Sequence, residues 1–234
     1  MNLKGIEVNL KHQAPLEKGY IPIKKWNDAY LAEAKKPLKV AIRRQGDHVA
    51  VFDTFIRGDE ASREADILYV GKLVKMMLWA RGGYQIYICG DDEVAKEVAA
   101  DYTAEGARAF DYDFMENVYD RPLEFVSLPY DECPEENEAS EAIGKHLNGC
   151  RIGFDAGGSD RKVSAVIDGE TVYSEEVVWF PKITPDPDYH FNGIVEAMET
   201  AKSKMPRVDG IGVSSAGIYI DNEARVASLF LAVP

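Results

Sequence analysis

Cysteine, histidine and positive charge are all scarce in this chain, and each shortage closes off a class of function. Cys89, Cys133 and Cys150 are the only cysteines in 234 residues. They are too few and too widely spaced for a disulfide framework, and no C-x-x-C arrangement offers a zinc site. Such cysteine usage agrees with a reducing cytosol, so a cytoplasmic protein is expected. His12, His48, His146 and His190 are scattered without a ligand partner at helical spacing and read as surface or packing residues. A formal net charge of -13 opposes a phosphate backbone, so nucleic acid is not an expected partner. No stretch is apolar enough to span a membrane, and the N-terminus, with Lys4, Glu7 and Lys11, has no signal-peptide core.

What is present is a globular composition, 46% hydrophobic and 29% charged, enough to bury a core in one or two domains. Residues 1–37 read as an arm with Pro15 and Pro22 and a short helix over 26–34, ended by Pro37. Residues 38–130 read as an α/β unit. Strands are expected over 39–44 and 48–56 across Gln45-Gly46-Asp47. A long helix follows over 62–81, with Ile67, Val70, Val74, Met77 and Leu78 on its apolar side and Gly82-Gly83 as its stop. A strand over 84–89, a helix capped by Asp91-Asp92 and running to 102, and a strand over 123–128 complete it. The aromatic stretch Tyr112, Phe114, Met115, Tyr119 and Phe125 reads as packing for this unit. The acidic run from Asp131 to Glu141 reads as a solvated part of a linker over 131–148.

The chemistry is concentrated after the linker. Residues 150–154 form an expected strand that delivers Asp155, and Ala156, Gly157, Gly158 and Ser159 make a turn. Val163, Ala165 and Ile167 then alternate along a return strand to Asp168-Gly169. A turn with almost no side chains lets backbone N–H groups approach phosphate oxygens, and a carboxylate beside it suits magnesium. A tight hairpin with an exposed aspartate is the plainer alternative, and both stay open at this level. Next come a helix over 189–204, with Phe191, Ile194, Val195 and Met198 on one face, and Pro206, which cannot continue it. Residues 208–217 read as a buried strand running into a small-residue loop, Ser214, Ser215, Ala216 and Gly217. A hairpin over 218–227 with Asp221-Asn222 at its tip follows. Trp179-Phe180-Pro181 reads as a strand end that caps the core.

This order resembles the first half of the actin-like ATPase (ribonuclease H-like) fold, and most of all the ROK family of bacterial sugar kinases and sugar-responsive repressors. In that family a D-x-G-G-[ST] hairpin is followed by a helix and a G-x-G-V-x-x-x-G loop, here Asp155 to Ser159 and Gly210 to Gly217. The family places a basic residue just after its Ser or Thr. This chain has Asp160 there, with Arg161 and Lys162 following. The second loop lacks the family's usual proline.

The resemblance implies an α/β protein in which an actin-like half domain over 149–234 follows a separate mixed α/β domain. It implies a complete protein that transfers the γ-phosphoryl group of ATP to a sugar hydroxyl, with ATP and magnesium as cofactors and a small-molecule sugar as substrate. Asp155, Gly157, Gly158 and Ser159 would serve phosphate and magnesium, and the Ser214 to Gly217 loop would face the sugar. The general base of such kinases is expected beyond Pro234, so the chain reads as the N-terminal fragment of a longer protein, itself without activity. A sensor or scaffold with a degenerate kinase lobe is the alternative, and homo-oligomerisation stays open. The first half's hairpin, helix and strand echo the second half, which sets a duplicated lobe against a plain accessory domain.

Overall fold

The computed structural model describes residues 1–138, 144, 146–221 and 223–234, and residues 139–143, 145 and 222 lie outside the description. The chain is mixed α/β and divides into two compact units, Met1–Ser140 and Glu141–Pro234.

The first unit opens with a two-stranded ribbon, β1 (Asn2–Leu3) and β2 (Ile6–Glu7), and helix α1 (Ile23–Leu31). The arm is therefore anchored to the unit. Ile6, Val8, Trp26 and Tyr30 are buried, and the Trp26 indole N–H donates to Leu3 O at 3.0 Å. Pro37 does not end the helix. It lies inside β3 (Lys36–Arg43), in the part that pairs only with β4 (Val49–Ile56) before β5 (Gln85–Cys89) joins from Lys39 onward.

The sheet order is β4-β3-β5-β6, with β6 at Glu124–Leu128; β3 is antiparallel to both neighbours, and β5 and β6 are parallel. One face carries Leu38, Val40, Ile42, Ile86 and Ile88, and these share a core with residues of α2 (Arg63–Arg81), α3 (Asp92–Ala100) and α4 (Ala109–Tyr119). Burying some nine-tenths or more of each such aliphatic side chain is worth about 1.5–3 kcal/mol. Gly82 ends α2 with a positive φ of 73°. Asp91 caps α3 by accepting from Val94 N at 2.9 Å.

Two features here depart from sequence expectation. The aromatic stretch from Tyr112 to Tyr119 is itself part of a helix, α4, whose first turn has no side-chain cap and so gives no start signal, and Phe125 lies in β6. The acidic run is not simply a solvated linker, because its first part, residues 131–138, belongs to the first unit. After β6 the chain makes a short 3-10 turn, Tyr130–Glu132, and crosses the second face of the sheet as a strap. Tyr130 donates to Asp53 at 3.1 Å, Asn137 exchanges backbone hydrogen bonds with Val49, and Glu138 pairs with Arg44 at 2.5 Å. The rest of the run, residues 139–141, lies outside the described residues.

The second unit is a sheet of order β10-β7-β8-β9. β7 (Cys150–Ala156), β8 (Asp160–Ile167) and β9 (Glu170–Val178) form an antiparallel meander, and β10 (Gly210–Ser215) lies parallel to β7. Helix α5 (Pro187–Lys202), capped by Asp186 with proline at its start, covers one face. There Ile152, Phe154, Val163, Ala165, Ala197 and Ala201 form the core. The helix turns His190, Ala197 and Ala201 inward, whereas Phe191 is 64% exposed, so the expected apolar face is rotated. Strand β10 is exposed rather than buried. A last hairpin, β11 (Gly217–Ile220) and β12 (Glu223–Ala227), falls where expected, its Asn222 outside the description.

Candidate functional site

Alternation along a strand puts every second residue of the second unit on the face away from α5. On β7 these are Gly153 and Asp155, on β8 Lys162 and Ser164, on β9 Ser174 and Glu176, and on β10 Gly212 and Ser214. They line a depression of about 600 Å³. Registration of β10 against β7 sets Ser214 opposite Asp155, and the Ser214 hydroxyl donates to the Asp155 carboxylate.

Gly157, Gly158 and Ser159 connect β7 to β8 beside this pair. The expected turn began one residue earlier; Ala156 is in the strand, buried, and paired with Arg161. Gly157 is demanded by crowding rather than by a left-handed backbone. A methyl group there would stand 2.5 Å from Asp160 O. Trp179 holds the loop from behind, with its backbone N–H on Ser159 O at 3.1 Å and its indole N–H on Gly157 O at 2.8 Å. Trp179 is buried against His190 and Phe230, which agrees with the core-capping role and adds a second one.

The two basic residues after the hairpin part company. Arg161 points to the α5 side, is buried, and pairs with Glu196 at 2.7 Å. Lys162 lies on the open face and pairs with Asp160 at 2.5 Å. Its hydrogen bond holds the Asp160 carboxyl below the usual range, aided by the Ser159 hydroxyl, and the same bond holds the Lys162 ammonium above its usual value. Glu176, opposite Lys162 on β9, and Asp155 act in the same direction on Lys162.

The substrate-facing loop expected over Ser214 to Gly217 is not one loop. Ser214 and Ser215 lie in β10, only Ala216 is a bend, and Gly217 opens β11. Because a strand alternates, Ser214 faces Asp155 while Ser215 sits on the opposite face, where Tyr219 donates to it at 3.1 Å.

Lys182 is a site residue that sequence reading did not find. A methyl group on Gly158 would stand 3.2 Å from its Nζ, so an ammonium lies over the loop. Lys182 follows Trp179 by only a few residues, but no motif marks it, because the anchoring of Trp179 on the hairpin brings it there.

Among the described residues no three histidine, cysteine, aspartate or glutamate side chains gather to hold a metal ion. One carboxylate, Asp155, with a hydroxyl beside it does suit magnesium, which keeps several waters and takes its other ligands from substrate phosphates. In the described residues no helix is long and apolar enough to cross a membrane.

No family model matches the chain, and no curated protein matches it. Among solved structures, an exopolyphosphatase from Cytophaga hutchinsonii aligns at 10% identity and a TM-score of 0.24, over 77% of this chain and 64% of that one. A Ppx/GppA phosphatase from Aquifex aeolicus aligns at 9% identity and a TM-score of 0.20, over 76% of this chain and 63% of that one. The chain thus spans less than two thirds of either structure, and likenesses this low carry no argument about its fold or function.

Proposed function

We propose that the second unit is the opening part of an actin-like ATPase (ribonuclease H-like) domain of ROK type, and that the complete protein phosphorylates a sugar hydroxyl from magnesium ATP. One observation carries the reading: the β7/β10 register brings Ser214 onto Asp155, on an open polar face beside the glycine hairpin. The strand order, three antiparallel strands and then a helix returning to a fourth strand parallel to the first, supports the same reading.

Phosphoryl transfer is mainly positioning and charge stabilisation. Gly157, Gly158 and Ser159 would give backbone donors to phosphate, and Lys182 would add a cation above them. Asp155 would hold magnesium through its water shell, oriented by Ser214. Magnesium, when bound, supplies neutralisation of phosphate charge. Ser214 would also face the sugar, whereas Ser215, on the opposite face, would not. The general base is not assigned among these residues.

Asp155→Asn tests this reading because the amide is nearly isosteric and removes only charge. In the complete protein turnover should fall by about a hundredfold or more while the sugar KM barely moves. In the 234-residue chain, calorimetric titration with magnesium ATP should lose its magnesium dependence, with an unchanged melting curve as control. Unchanged turnover and magnesium requirement would reduce Asp155 to a hairpin residue. A second reading, a sugar or nucleotide sensor or scaffold without chemistry, is favoured by Asp160, which occupies the Lys162 ammonium. It predicts ligand binding by the complete protein without turnover.

A further inference from the structure

The strap across the first unit's sheet lays one thiol against another. Strand β5 ends at Cys89, fully buried on the face that the strap covers, with Leu128 of β6 as its neighbour in register. The turn Tyr130–Glu132 sends the chain back over the sheet, so that half-buried Cys133 packs on the cluster of Ala41, Val49, Tyr87 and Cys89. Both cysteines are free, and Cys133 is packed among the side chains that surround Cys89.

The two thiols differ in burial, Cys89 being fully buried and Cys133 half-buried. Accepting from Cys89 holds the Cys133 thiol below its ordinary value; burial opposes this, Lys39 assists, and Asp53 opposes. Donating to Cys133, together with burial, pushes the Cys89 thiol up. Lys39 is fixed in place with its ammonium 4.3 Å from the centre of the Tyr130 ring. A half-exposed thiol near a cation, backed by a buried second thiol, has the arrangement of an attacking and a resolving cysteine.

We propose that Cys133 and Cys89 form a redox-active dithiol that closes to a disulfide by exchange with a small disulfide, RSSR. The Cys133 thiolate attacks one sulfur of RSSR; the S–S bond breaks, and RS⁻ leaves and takes up the proton that Cys133 gave up. Cys133, now a mixed disulfide, no longer bears the charge that opposed ionisation of Cys89. The Cys89 sulfur attacks Cys133 Sγ, a second RS⁻ departs, and it takes the Cys89 proton. Two protein thiols are oxidised by two electrons to one disulfide, and RSSR is reduced to two RSH. Closure ties the strap covalently to β5 and seals the covered face.

The test treats the reduced 234-residue chain with oxidised glutathione and follows intact mass and mapped peptides. The expected product has lost two hydrogens, carries no glutathione, yields a Cys89–Cys133 peptide, and reverts with dithiothreitol. Cys89→Ala should trap glutathione on Cys133, whereas Cys133→Ala should react at least about tenfold more slowly at Cys89. The oxidised wild type should melt higher by roughly 5 °C. A glutathione adduct on Cys133 of the wild type that never resolves, or a disulfide formed only between chains, would overturn the proposal. So would equal reaction rates at Cys133 and at Cys150, which is buried in the second unit and serves as the internal reference.

Discussion

The two units share a hairpin, then a helix, then a strand, yet the returning strand runs in opposite senses: β5 is antiparallel to β3, and β10 is parallel to β7. Parity explains it. The first unit's four-stranded sheet has two strands, β3 and β4, before the long helix, so the chain enters α2 from the end at which β3 began. The second unit has three, β7, β8 and β9, and α5 must carry the chain back before β10 starts. One additional strand therefore separates a sheet whose returning strand is antiparallel to the first from one in which Asp155 and Ser214 finish side by side. The two sheets therefore do not share one topology.

The second faces differ as well. In the first unit Ala41, Val49, Val51, Tyr87 and Val126 require a cover, and the strap supplies it. In the second unit the corresponding face carries glycine, serine and charged residues, and a depression lies over it. The loops differ in step: Gly46 and Asp47 turn with φ of 71° and 57°, whereas Gly157 answers to a close backbone approach.

If the two units are independent, Asp66→Ala should show it with the largest effect. The buried carboxylate accepts from Tyr30 Oη at 2.6 Å, Gly58 N at 2.9 Å and Arg57 N at 3.1 Å. Three donors lose their acceptor, each at about 1–3 kcal/mol, so the first unit should lose roughly 3 kcal/mol or more. Amide spectra through a denaturant titration should show the second unit intact; joint unfolding would break the comparison.

Gly157→Ala comes next. The methyl group meets backbone at 2.5 Å, the hairpin has to open, and about 1–3 kcal/mol should be lost from the second unit. Its counterpart Gly212→Ala, with nothing within 4 Å of the added carbon, should stay within about 0.5 kcal/mol. Equal melting shifts for the two variants would show that the loop is not crowded.

The smallest effect among these, a pH dependence, belongs to the first unit. Burial raises the Asp91 carboxyl, but the hydrogen bonds from Lys36 and Val94 N–H, with Arg63 nearby, outweigh it and hold the group below its usual value. Its folded pKa is depressed, so its contribution to stability is fully present above the unfolded value, about 3.9, and is lost as pH falls through the folded one. Between pH 5 and pH 2 the first unit should lose stability faster in the wild type than in Asp91→Asn. Parallel acid titration curves for the two proteins would remove Asp91 from this account.

Local signals in the sequence determined much of the ladder of elements. Apolar alternation marked β7 and β8, Gly82-Gly83 marked the end of α2, Asp91 marked the start of α3, and Asp155 with its glycines marked the site. These rest on periodicity and backbone preference within a few residues, which a chain states openly. Tertiary structure alone decided the direction of β5, the strap over residues 129–138, and the meeting of Cys89 with Cys133. It also turned Arg161 away, set Lys182 over Gly158, and divided Ser214 from Ser215 between two faces. Each depends on which strands become neighbours and in what register, and that choice is made by burying whole faces at once, a property that no short window of sequence contains.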